Sequence, residues 1–245
     1  MQVEYLVALA LAIGVVAFLY SSVGHAGASG YIAVMTLASL SPAVIKPSAL
    51  VLNILVASIG TWQFQRAGHF RWSLFWPFAL LSIPLAFVGG YLNLPTHLFK
   101  ILVGIVLLFS ALYFFWSPDN DDAGPGPSLP IAIGSGGVLG FFAGLTGTGG
   151  GIFLTPLLLV MRWARTKNAA ATSALFILVN SIAGLAGNAS STGNIPALVW
   201  PLAGAALVGG AAGSYFGSRR FPPATIKRLL AAVLVIAGLK LLLTA

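Results

Sequence analysis

Gly144-Leu145-Thr146-Gly147-Thr148-Gly149-Gly150-Gly151 interrupts an apolar run, and a second apolar run, Ile152 to Val160, follows it at once. Glycine leaves helical dihedrals without steric penalty, so this octet marks a place where a helix stops and another restarts. An earlier stretch, Gly24-His25-Ala26-Gly27-Ala28-Ser29-Gly30, is a degenerate version of it and leads into Tyr31 to Leu40. A shift of 127 residues then carries Asn53 onto Asn180, Gly60 onto Gly187, Gly90 onto Gly217, Pro95 onto Pro222 and Lys100 onto Lys227. Duplicated hydrophobic units, each broken by glycine at the matching place, are the sequence mark of a secondary transporter, and the breaks point to where its substrate sits.

Composition sets the solvent. Only 7% of the 245 residues are charged and 58% are hydrophobic. A soluble domain averages about 25% charged residues, so the surface expected here faces lipid. The net charge of +8 rests on 12 Lys and Arg against four acids. These bases fall in short connections between apolar runs, which is the positive-inside pattern and not a nucleic-acid footprint. There is no cysteine, which removes disulfides, thiolate metal sites and cysteine nucleophiles. Ala26-Gly27-Ala28 after the apolar Leu6 to Leu19 has the look of a signal-peptide cleavage site. The leading region, however, carries Glu4 and no Lys or Arg, so the segment is expected to stay as a membrane helix.

A spanning helix needs about 20 apolar residues. On that ruler the first copy, residues 1–117, yields segments near 3–22, 30–42, 47–64, 72–92 and 97–116. A linker, 118–128, rich in Pro, Gly and Asp, joins it to the second copy, 129–245. That copy yields 129–145, 150–161, 166–187, 195–218 and 224–244. The segments after the two breaks are too short to cross comfortably and read as half-helices or re-entrant pieces. Irregular backbone at that depth must be buried in protein or line a wet cavity. The expected fold class is an all-α polytopic membrane protein, one integral membrane domain of two homologous halves.

Five segments per copy is an odd number, so the copies should insert in opposite orientations. That scheme puts Arg66, Arg71, Arg162, Arg165, Lys167, Arg219, Arg220, Lys227 and Arg228 on one side, and Lys46, Lys100 and Lys240 on the other. The first side is then cytoplasmic and both termini are periplasmic. Counting each broken pair as one span gives parallel copies instead. The loop with Arg66, His69 and Arg71 corresponds to the uncharged Ser190 to Pro196, which favours inversion.

A helix that restarts inside a membrane presents unpaired N–H groups and roughly half a positive charge. Two such ends converging make an anion site without a full charge. Ser29, Gly30, Thr148, Gly149 and Gly150 are the candidates for backbone N–H donation. His25, Asn53, Thr172 and Asn180 are the candidate side-chain contacts. Each has a structural alternative. Small residues also let membrane helices pack closely, the reading preferred for Gly104, Gly209 and Gly210. Asn53 and Asn180 are interhelical bonds or ligand contacts. His25 is a proton carrier, an anion contact or a structural hydrogen bond. His69 and His97 fall in connections and read as solvated groups. Glu4, Asp119, Asp121 and Asp122 are all terminal or in the linker, so coupling through a buried carboxylate is not expected. His25, sodium held by oxygens, or uncoupled anion movement remain open. The tryptophans lie mostly near segment ends, as interface anchors do.

No enzyme pattern survives inspection, and no metal or cofactor is expected. Gly144 and Gly149 have phosphate-loop spacing, but Gly150 and Gly151 stand where Lys and a hydroxyl residue would be needed.

The run Gly140-Phe141-Phe142-Ala143-Gly144-Leu145-Thr146-Gly147-Thr148-Gly149-Gly150-Gly151, with Pro156-Leu157, Ala171-Thr172-Ser173-Ala174 and the turn Arg219-Arg220-Phe221-Pro222, resembles the sulfite exporter TauE/SafE family of membrane anion permeases. The likeness runs over almost the whole chain. The first copy departs from it, with His25, Ala28 and Ser29 where glycine or threonine is expected. The resemblance implies transport of sulfite, sulfonates or related sulfur-containing or organic anions across a bacterial inner membrane. The rival readings are a carrier of another small solute, such as a metal ion, and a membrane accessory or assembly protein without flux. Oligomeric state is open, a homodimer included.

Overall fold

The computed structural model describes residues 3–38, 40–92, 101, 108, 111–112, 121–192 and 196–243. Among them the chain is helical. The elements are α1 (Val3–Ser22), α2 (Ala28–Leu37), α3 (Pro42–Arg66), α4 (Trp72–Tyr91), α5 (Leu129–Thr146), α6 (Gly151–Val160), α7 (Thr166–Thr192), α8 (Val199–Tyr215) with a π-helical turn Phe216–Arg220, and α9 (Pro223–Leu243). Six of these segments are long and apolar enough to cross a membrane: Glu4–Ser22, Ala43–Arg66, Trp72–Tyr91, Leu129–Thr146, Thr166–Ser191 and Val199–Arg220. The expected segment 97–116 and His97 fall almost entirely outside the described residues.

The surface is more apolar than that of a water-soluble protein, and polar side chains lie buried within an apolar core. Ser48, Asn53, Ser82, Thr172, Ser173, Asn180, Ser181 and Ser214 have no exposed surface, whereas Leu11, Val15, Val208 and Trp200 are largely exposed. Large apolar side chains pointing outward, with polar ones kept inside, suit lipid as the surrounding solvent. The chain forms a multi-pass membrane protein.

Close helix packing rests on small residues at every fourth position. Gly136, Gly140 and Gly144 of α5 abut the backbone at Phe78, Ser82 and Ala86 of α4. Gly209, Gly213 and Gly217 meet the backbone at Gly14, Phe18 and Ser22 of α1. A Cβ at any of these positions would strike the opposing main chain, so the interface depends on glycine. Gly210 lies against Val56. The central helices α3 and α7 pack on each other; α3 also lies on α8, and α7 on α4.

The two ends of the bundle differ in charge. At one end, His69 Nε2 lies 2.9 Å from the Ser218 carbonyl, Asn168 donates to the His69 carbonyl at 2.6 Å, and Lys167 reaches the Ser218 carbonyl at 3.4 Å. These bonds gather the loops that carry Arg66, Arg71, Arg165, Arg219 and Arg220. His69 is therefore half-buried and bonded on both its ring and its carbonyl, not a freely solvated group as its place in a connection suggested. At the other end Lys46 Nζ donates to the carbonyls of Gly90 (2.9 Å) and Leu92 (3.3 Å), covering orphan acceptors at the C-terminus of α4.

Several boundaries moved from their expected places. Helix α3 starts at Pro42 and runs through Pro47. Both prolines are acceptable in or near a first turn, and the chain uses the earlier one. Helix α7 continues to Thr192, beyond the expected 187, and α2 spans 28–37 where 30–42 was expected.

Candidate functional site

The breaks are short lengths of left-handed backbone. In the second, Gly147, Gly149 and Gly150 have φ of 73°, 74° and 82°. An L-residue in that region costs roughly 1–2 kcal/mol, which explains the glycines. The break also carries the chain inward along α3. Gly147 lies against Lys46 and Leu50, whereas the Thr148 carbonyl and Gly149 lie against Asn53. From Leu50 to Asn53, at 1.5 Å per residue, that descent is roughly 5 Å. Helix α6 therefore begins beside Asn53 near the middle of α3, and beside Ile177 and Ser181 near the middle of α7. Its ten residues reach only about 15 Å.

The N-terminus of α6 has no side-chain cap. Its ladder opens with the Phe153 and Leu154 N–H groups, both 3.1 Å from the Gly150 carbonyl. The N–H groups of Gly151 and Ile152 lie ahead of that ladder and point out of the helix end. A partial positive charge is thus presented inside the protein, with polar side chains around it.

The first break comes to the same place from the other direction. Helix α1 ends at the arginine-rich end, where Ser22 meets Gly217, and Gly24 lies on the backbone of Ala170 in the first turns of α7. The chain then turns inward. His25 Nε2 lies 2.8 Å from Thr155 Oγ1 on α6, and the Thr155 hydroxyl donates to Ser173 Oγ on α7 at 2.7 Å. A hydroxyl has one proton, so Thr155 accepts from the Nε2–H of His25. Gly151 packs beside the imidazole, and a Cβ there would come 3.5 Å from His25 Cδ2. From this point α2 runs toward the opposite end, where Tyr5 donates to the Ala38 carbonyl at 2.9 Å.

The nine sequence candidates fall into three groups. His25, Thr148, Gly149 and Asn53 surround the start of α6. Asn53 donates from Nδ2 to the Thr148 carbonyl (3.2 Å) and to Ser181 Oγ (3.3 Å), so one amide proton holds the break and the other ties α3 to α7. Gly150 lies against Phe176, one turn from two further candidates on the same face of α7, Thr172 and Asn180. Among the described residues, Thr172 Oγ1 is buried without a partner; Asn180 donates to the Phe176 carbonyl of its own helix at 2.9 Å, leaving its Oδ1 buried and unpaired among them, as is Asn53 Oδ1. Ser29 and Gly30 pack on α1: Ser29 bonds Tyr20 Oη at 3.1 Å, and Gly30 faces Val16 and Tyr20.

Sequence reasoning passed over Thr155 and Ser181, and noted Ser173 only as a polar neighbour of Thr172. Ser173, Ile177 and Ser181 recur every four residues, which places them on one face of α7. That spacing was a readable signal. Thr155 could be found only by noting that it lies one turn into the helix that restarts at Gly151.

A family model described as "Sulfite exporter TauE/SafE" matches residues 9–241. The chain is 40% identical over 243 residues to a probable membrane transporter protein, y4hK, of Sinorhizobium fredii, covering 96% of this chain and 98% of the relative. A probable membrane transporter protein of Methanocaldococcus jannaschii, MJ0441, is 27% identical over 142 residues, 56% of this chain and 53% of the relative. One from Xylella fastidiosa is 48% identical over 63 residues, 25% of this chain and 24% of the relative. No solved structure matches. With a family match from residue 9 to residue 241 and a polytopic helical fold, the chain belongs to the sulfite exporter TauE/SafE family of membrane transporters.

Proposed function

We propose that the protein is a secondary permease for small oxyanions, sulfite, sulfonates or related sulfur-containing or organic anions, and that it holds them where the two glycine breaks meet. The observation that carries this reading is the contact of His25, in the first break, with Thr155, on the helix that the second break starts. The uncapped end of α6 presents N–H donors and a partial positive charge, the hydroxyl protons of Ser173 and Ser181 add to them, and no carboxylate lies among these residues. That balance favours an anion and disfavours a metal ion.

The halves are inverted repeats in this reading, and α2 and α6 are re-entrant. Helix α1 runs toward the arginine-rich end and α5 away from it; α4 runs away from it and α8 toward it. In parallel copies the loops of His69 and Asn168 would lie on opposite faces of the membrane, yet the two residues are bonded at 2.6 Å. The arginine-rich end is cytoplasmic and both termini are periplasmic, in a bacterial inner membrane.

Purified protein tested for thermal stabilisation with sulfite, taurine, sulfoacetate, acetate and chloride decides the substrate class. A ligand that binds only the native state raises the melting temperature. Stabilisation by the sulfur oxyanions at concentrations where chloride has no effect is expected. An equal response to every anion would remove the specificity claimed.

A further inference from the structure

Away from the breaks, at the arginine-rich end, the structure holds a cavity of about 310 Å³ that the transport reading does not use. Arg71 and Arg165 line it, with Asn168, Trp163, Phe78 and the backbone of Gly124. No acidic residue is among its described lining. Its volume is at the small end of the range for ligand sites.

Three features make this cavity electropositive and shaped. First, three long helices begin around it. Arg71 is the N-cap of α4, Pro127 precedes the Ser128 N-cap of α5, and Arg165 immediately precedes α7. The dipoles of α4 and α5 add to two guanidinium groups at one place, while Asp121 caps the start of α7. Second, its outer wall is the segment joining the two halves, and that wall is tied down. The Gly124 N–H donates to the Arg162 carbonyl at 2.7 Å, and Asp121 accepts from the Thr166 N–H at 2.8 Å and from the Thr166 hydroxyl. Arg162 holds left-handed backbone, with φ of 54°, where it offers that carbonyl. Third, Trp163 and Phe78 pack against each other, 6.3 Å between ring centres, giving the cavity an aromatic side.

We infer that this cavity is a second anion site, which takes a tetrahedral oxyanion between the guanidinium groups of Arg71 and Arg165. A guanidinium group suits the geometry of a sulfate, a phosphate or a phosphodiester, and binds each by two parallel N–H donors. The same chemistry is offered by a free inorganic anion and by the head group of an anionic phospholipid, since Trp163 and Trp72 mark this end as an interface level. An anion here would bridge the first half, through Arg71, to the second, through Arg165. The inference uses none of the residues at the breaks and stands or falls apart from the substrate reading.

The test is a titration of detergent-purified protein with sodium sulfate, at ionic strength held constant with sodium chloride, read by calorimetry and melting temperature. Wild type should bind sulfate. Arg71→Gln and Arg165→Gln should each weaken the apparent affinity of one sulfate component about tenfold, and the double variant should abolish that component. Arg66→Gln removes a cation that stacks on Trp62, 5.0 Å from its ring and outside the cavity, and should change nothing. A parallel arm uses nanodiscs of phosphatidylcholine with and without phosphatidylglycerol. Stabilisation by phosphatidylglycerol that the double variant loses identifies the head group as occupant. Sulfate binding unaffected by phosphatidylglycerol identifies a free anion. Three results overturn the inference: neither sulfate nor phosphatidylglycerol binds wild type, the double variant responds as wild type does, or Arg66→Gln weakens binding as much as the cavity variants. Should the double variant not fold, each single variant read against Arg66→Gln carries the same decision.

Discussion

His25 and Thr155 are 130 residues apart in sequence and 2.8 Å apart across the protein interior. The bond joins the first glycine break to the helix that the second one starts, and Thr155 passes it on to Ser173 of α7. Three elements are thereby fixed around the open end of α6. Residues in one hydrogen-bonded network do not act independently. His25→Ala and Thr155→Val should each lower thermal stability and flux, and the double variant should lose less than their sum. A coupling of about 0.5–3 kcal/mol is expected from a double-mutant cycle. Strict additivity would show that the two side chains do not act together.

Gly149 and Gly68 separate strain from crowding. Both have left-handed φ, 74° and 77°. A Cβ at Gly68 meets nothing, whereas one at Gly149 would lie 2.7 Å from Ser181 Oγ, 2.8 Å from Ile177 and 2.9 Å from Asn53. Gly68→Ala should therefore cost only the backbone strain, about 1–2 kcal/mol, and keep flux. Gly149→Ala should cost more, displace Asn53 and abolish transport. Equal melting temperatures and equal flux for the two variants would contradict the site.

Asp121 gives a structural prediction in the joining segment. Its carboxylate accepts the Thr166 N–H at the start of α7, as an N-cap does. Asp121→Ala should lower stability by about 0.5–2 kcal/mol, the range for a lost cap. Flux per folded molecule should be unchanged, because the carboxylate bonds Thr166 and none of the residues assigned to the anion site. Loss of transport at normal stability would place ionic chemistry in the linker.

Much of this was legible in the sequence, and the reasons are local. The spans follow from runs of apolar residues, and the breaks follow from Gly147 to Gly151, whose left-handed backbone requires glycine. Helix termini were less legible: Pro42 and Pro47 both signal a start, and only packing chooses between them. Partnerships across the bundle were not legible at all. Nothing in the sequence near Asp121 points to Thr166, and nothing near His69 points to Ser218 or Asn168. Asn53 and Asn180 look equivalent under the 127-residue shift, yet one braces a break while the other bonds its own helix. Such differences arise from tertiary contacts that matching positions in the sequence do not record.

Orientation can be read directly, since the chain has no cysteine to remove. Single cysteines at exposed positions of the two ends, Arg162→Cys and Tyr5→Cys, should react with a membrane-impermeant maleimide from opposite sides. Tyr5→Cys should label in intact spheroplasts, and Arg162→Cys only after permeabilisation. Labelling of both from one side would exclude the inverted arrangement.

The most direct measurement is uptake of radiolabelled sulfite into proteoliposomes under an imposed membrane potential, comparing wild type, Gly149→Ala and Gly68→Ala. Movement of an anion carries charge, so a potential of 100 mV should bias uptake by about 2.3 kcal/mol per charge in the direction of the positive side, unless compensating ions move with it. The account predicts saturable flux in wild type and Gly68→Ala and none in Gly149→Ala. Flux that survives in folded Gly149→Ala, or is absent from wild type across the whole set of sulfur oxyanions, would contradict it.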